Sequence, residues 1–143
     1  MKKLIPFVIA VLIAYFLQEQ FDQTQSESEP AGESRSVTSR TEEALRSGAQ
    51  IQGSGTVSRI LQDDNDGSRH QRFIIRLSSG RTLLIAHNID VAPRISGLRV
   101  GDTVGFNGVF EANDKGGVIH WTHHDPEGRH EAGWLKHDGR TYQ

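Results

Sequence analysis

Cysteine is absent from the 143 residues, which excludes disulfides, thiolate-bound zinc and every cysteine nucleophile. Aromatic residues are few, with two Trp, two Tyr and six Phe, so a base-stacking platform for single strands is poorly furnished. Excess charge of either sign is also missing. The formal net charge is −2, and from Ile51 onward eleven acids stand against eleven bases. A neutral domain lacks the basic footprint of backbone-driven nucleic-acid binding, so strong nucleic-acid binding is not expected. No G-x-x-x-x-G-K-S/T, G-x-G-x-x-G or G-x-S-x-G stretch occurs, which removes nucleotide-loop and serine-hydrolase chemistry. The run Asp63–Gly67 has the look of a calcium loop, but the position for its bidentate glutamate is Ile74, so a plain turn is expected.

Long apolar runs are missing too, save one. Lys2 and Lys3 precede an uncharged stretch from Leu4 to Leu17, the pattern of an export signal. The stretch is shorter than the ~20 residues of an ordinary membrane span. Yet no pair of small residues at A-x-A spacing follows it. Residues 1–20 are therefore expected to be a signal peptide or an inner-membrane anchor through residues 4–17, with the anchor favoured. The lysines would hold the N-terminus inside and place the rest in the periplasm. Residues 21–50 are rich in Gln, Ser and Glu and read as a flexible polar linker. A short helix near "TEEALRSG" is the only element expected there.

From residue 51 the pattern turns to period two. A glycine-bearing first strand begins at Ile51. Gln71, Phe73, Ile75 and Leu77 share one face of a second strand, with His70, Arg72, Ile74 and Arg76 on the other. "SSG" and "NDKGG" signal hairpins, and Val104, Phe106, Gly108 and Phe110 fall on one face. Between "RTLLIAHNI" and "DTVGFNGVFE" lies a connection with room for one helical turn. Five short strands in about ninety residues predict an all-β fold, a small OB-like barrel over about residues 51–122. An irregular histidine-rich tail completes the domain at residue 143.

Five of the seven histidines lie in "HWTHHDPEGRHEAGWLKHDG", residues 120–139, among four acids. Clustered imidazoles and carboxylates mark metal sites. On a strand, His120 and His124 would share a face but stand about 13 Å apart. A helix opened by Asp125 and Pro126 would separate His130 and His137 by about 10 Å. One ion therefore requires a tail that folds back. The expected ligands are His124, His130 and His137, with His123 or Asp125 as alternates, and the expected cofactor is a divalent metal, zinc foremost. A second candidate surface is the His70, Arg72 and Arg76 face, joined by Arg81 and His87 from the next strand, for a polar or anionic polymer.

The strings "RHQRFIIRLSSGRTLLIAHNIDVAPRI" and "LRVGDTVGFNGVFEANDKGGVIHWTHHDPEGRHEAGWLKHDG" resemble an uncharacterised bacterial family, domain of unknown function number 3465. The resemblance implies a small exported OB-like domain and no activity. A fainter similarity is to the "WHH" motif of histidine-metal nucleases. Here Thr122 separates Trp121 from His123 and His124, and no matching asparagine follows. Two functions are thus expected in order. The first is a non-catalytic envelope binding module; the second is a metal-dependent hydrolase acting on phosphodiesters or in a nuclease-like way.

Overall fold

A computed structural model describes residues 45–143. The expected signal or anchor lies outside the described residues, as does most of the linker. Among the described residues there are seven strands: β1 (Ala49–Ile60), β2 (His70–Arg76), β3 (Thr82–Asn88), β4 (Thr103–Glu111), β5 (Val118–His120), β6 (Trp134–His137) and β7 (Arg140–Tyr142). The sheet runs β1-β2-β3-β5-β4, and β4 pairs back onto β1 to close a five-stranded barrel. All neighbours are antiparallel except β3 and β5. This is the expected OB-like barrel.

Strand β1 serves two neighbours. Its first part, Ala49 to Thr56, pairs with β4, and Thr56 to Ile60 pairs with β2. A register shift between Val57 and Arg59 marks the bend, where an extra residue increases local twist. Gly55 allows the close approach, because a Cβ there would lie 2.9 Å from the Arg76 carbonyl oxygen.

The barrel interior is filled by the residues that alternation selects. Phe73, Ile75 and Leu77 from β2 and its end, Leu83 and Ile85 from β3, and Val104, Phe106 and Phe110 from β4 are all buried, with Ile119 and Leu135. Fully burying such a side chain is worth about 1.5–3 kcal/mol, so this set dominates the stability of the domain.

Two open possibilities are settled and one expectation is corrected. No helical turn forms between β3 and β4, where the chain makes a series of turns from Ile89 to Asp102. No helix follows Asp125. The C-terminal tail is irregular only to Gly133, and its last part is a β6–β7 hairpin added to β4. Asp138 and Gly139 make the hairpin turn with φ of 48° and 73°, the double positive φ of a two-residue Asp-Gly turn.

The outward side of β2, β3 and β5 positions the site. Ile74, Leu84 and Val118 form one cross-strand row. Arg76 pairs with Thr82, Arg72 with Ala86, and His70 with Asn88. His120 stands two residues beyond Val118, on the same outward side. The face thus runs from Arg76 at one end to His70, Asn88 and His120 at the other.

Candidate functional site

That end of the face opens into a cavity of about 360 Å³. His70 enters from β2, Asn88 from β3 and His120 from β5, while Trp121, His123, Arg129 and His130 come from the segment after β5. The two surfaces expected separately from the sequence therefore meet. The strand face contributes His70 and His120, and the tail contributes His123 and His130.

The tail reaches the cavity through a tight turn. Trp121 has a φ of 53°, a left-handed conformation that is strained for a bulky residue. Two glycines make room for it. A Cβ on Gly133 would lie 2.1 Å from the Trp121 carbonyl oxygen, and one on Gly108 would lie 2.6 Å from that of His120. The Gly133 amide donates to the His123 carbonyl at 2.9 Å. Trp121 stacks on His130 with ring centres 4.6 Å apart, and it meets His120 at 5.0 Å. His123 and His130 meet edge to face, also at 5.0 Å.

Asp125 organises the next loop. Its side chain is only 1% exposed and accepts from the backbone amides of Glu127 at 3.0 Å, Arg129 at 2.5 Å and His130 at 3.0 Å. Burial works to raise its pKa, but the three donors outweigh it and hold the carboxyl below the usual range. Asp125 is thus charged and aimed at the backbone, which fixes Arg129 and His130 at the cavity. Its nearer oxygen lies 3.8 Å from His130 Nε2.

The imidazoles are held in one way. His70 Nδ1–H donates to the Ser68 carbonyl at 2.8 Å, His123 Nδ1–H to that of His124 at 2.7 Å, and His130 Nδ1–H to that of Glu131 at 2.7 Å. A carbonyl only accepts, so each ring carries its proton on Nδ1. His120 Nε2 is buried with no hydrogen-bond partner. Burial lowers the pKa of this ring, and Glu111 at 3.9 Å only partly offsets that.

The other expected site residues fall elsewhere. His87 is not on the Arg72 face. It points into the barrel, fully buried, with Nε2–H donating to the Pro93 carbonyl at 3.1 Å and Nδ1 accepting from the Thr122 hydroxyl at 2.8 Å. Burial pushes its pKa down to about 4. His137 is buried against Asp102, with Nε2 to Oδ2 2.8 Å. It lines a different cavity, shared with Arg99 and Arg140, and so does not join His130. His124 is exposed and lines neither cavity. Arg72 is clamped through Nε and Nη2 onto the Gln62 carbonyl at 3.1 and 3.0 Å. Arg81 donates to the Gly116 carbonyl at 3.2 Å and lies over the Phe110 ring. Among the described residues, Arg72, Arg76 and Arg81 have no carboxylate partner. No three His, Asp or Glu side chains among those residues already stand around a common point as metal ligands.

Sequence reasoning left His120, Trp121 and Arg129 out of the site. Only the alternation of His120 with Val118 signalled its outward side. What brings it beside His70 is the parallel pairing of β3 and β5, a non-local contact.

The chain belongs to the family described as "Protein of unknown function (DUF3465)", whose profile matches residues 16–143. No curated protein matches it.

Proposed function

We propose that this DUF3465 member is an exported binding module, anchored in the inner membrane through residues 4–17, that takes an anionic polymer along the outward face of β2, β3 and β5. One observation carries the reading. Arginines without carboxylate partners, Arg72 and Arg76, share a continuous face with His70, and that face ends in a cavity. Guanidinium groups bind carboxylates and phosphates through paired N–H donors, and Arg72 is already held in place by Gln62. The apolar row Ile74–Leu84–Val118 suits the flat side of a sugar ring better than a stacked base. Among the described residues Trp121 is the one large aromatic exposed near the cavity, and it is already stacked on His130. An acidic polysaccharide is therefore favoured over a single-stranded nucleic acid.

The test uses a fluorescent uronate polymer on the purified full chain and on spheroplasts producing it. Both should bind it, with neutral dextran failing to compete. Replacing Arg72 and Arg76 together by alanine should weaken binding about a hundredfold or more, in line with about 1.5–3 kcal/mol for each hydrogen bond to a charged group. Equal binding by the double variant would end the face assignment, and binding only after spheroplast lysis would end the location. A metal-dependent hydrolase is the second reading, and the lone pairs of the cavity histidines are what favour it. Chelator-sensitive cleavage of phosphodiesters by the purified chain would put it first.

A further inference from the structure

We propose that the cavity is a transition-metal site that takes one divalent ion through Nε2 of His123 and His130, with Nε2 of His70 or His120 completing the set. The inference goes beyond the polymer reading: its two fixed ligands, His123 and His130, lie outside the Arg72–Arg76 face, and only His70 is common to both, so either can fail without the other.

The first support is proton placement. His70, His123 and His130 each donate Nδ1–H to a backbone carbonyl, which leaves the Nε2 lone pair as the free group of each ring. That is the arrangement found behind metal-binding imidazoles, where the other ring nitrogen is tied to a carbonyl or carboxylate and fixes the tautomer. Nothing among the described residues donates to these Nε2 atoms. His120 Nε2 is likewise buried and unpartnered. A free lone pair on a ring that lines a cavity is a ligand for a cation.

The second support is spacing. Two imidazoles on one tetrahedral ion, each with a metal–nitrogen distance of about 2.0–2.1 Å, have ring centres about 5 Å apart. His123 and His130 have centres 5.0 Å apart and planes at 86°. The third support is charge. The buried Asp125 carboxylate stands 3.8 Å from His130 Nε2, and its oxygens are occupied by backbone amides. Arg129, which also lines the cavity, has its Nε 3.7 Å from the same oxygen, so the carboxylate offsets that guanidinium and keeps the cavity open to a cation without having to leave its loop. The third imidazole must swing in by a side-chain rotation, since no three ligands already converge. The cavity of about 360 Å³ has room for that movement. All-imidazole donors select zinc, copper or nickel over magnesium or calcium.

The probe is cobalt(II), added to the full chain after chelator dialysis and followed by its visible absorption. One equivalent should bind with the intense bands of a four-coordinate site of three imidazoles and a water, and zinc should displace it. His123→Ala with His130→Ala should lower affinity by more than the 10–100-fold seen for supporting residues. His124→Ala and His137→Ala should leave it unchanged. Should the double variant fail to fold, imidazole ¹⁵N spectra of the unvaried protein decide. Zinc should then shift Nε2 of His123 and His130 and leave His137 alone. Less than a tenth of an equivalent bound, binding indifferent to the double variant, or zinc shifts confined to His124 and His137 would overturn the proposal.

Discussion

His87 and His137 differ from His70, His123 and His130 in what their second nitrogen does. His87 spends both nitrogens, one on the Pro93 carbonyl and one on the Thr122 hydroxyl, and so ties the β3–β4 connection to the turn after β5. His137 spends Nε2 on Asp102, which also accepts from the Arg99 amide. That amide and then the imidazole hold the Asp102 carboxyl below its usual range. The other three rings spend only Nδ1, and all three line one cavity. A buried imidazole whose Nε2 is matched by a protein partner is a strut. One with an unmatched lone pair in a cavity is available for chemistry. Histidine density cannot tell the two apart, because the distinction lies in the partner of each ring.

The largest expected effect breaks the strut side of this comparison. His87 has a folded pKa near 4 against 6.5 when unfolded. Its folded-state pKa is depressed, so the unfolded chain takes up the proton first as pH falls. The contribution is whole above pH 6.5 and is lost as pH drops toward 4, for a total of roughly 3 kcal/mol. Urea unfolding at pH 7.5 and pH 4.5 measures it. His87→Gln, which can still donate to Pro93 and accept from Thr122, should flatten that pH dependence while leaving cobalt affinity intact. An unchanged slope in the variant would show that His87 does not carry it.

A smaller effect breaks the cavity side. Gly133→Ala would drive a methyl group onto the Trp121 and Asn107 carbonyl oxygens, and overpacking of this kind costs about 1–3 kcal/mol. Because the strain falls on the turn that delivers His123, cobalt affinity should drop along with stability. Loss of stability with full metal affinity would mean that the turn does not set the cavity.

Much of the barrel was legible in the chain, for a physical reason. Where one strand face is buried, alternation reports it directly, as with Phe73, Ile75 and Leu77 or with Val104, Phe106 and Phe110. The hairpin turns and the bent first strand were legible from glycine. The β6–β7 hairpin was overlooked, although Asp138-Gly139 is a two-residue turn signal, because its strands have only four and three residues. His87 was assigned to the wrong side despite being in phase with the buried Leu83 and Ile85, since a histidine invites a polar face. For the site, His123 and His130 were singled out together in the tail, and His70 on a separate surface. Joining them needed the β3–β5 pairing and the strained turn at Trp121, neither of which has a local signature. Placing His137 apart needed Asp102, 35 positions away in sequence.

The most direct test of this division is the protonation pattern of the rings in the metal-free protein at neutral pH, read from long-range ¹H–¹⁵N correlations of the histidine imidazoles. The structure predicts the Nδ1–H form for His70, His123 and His130, and a proton on Nε2 for His87 and His137. Nε2–H forms at His123 and His130 would contradict the account, because the cavity would then be lined by donors and the two classes of histidine would be one.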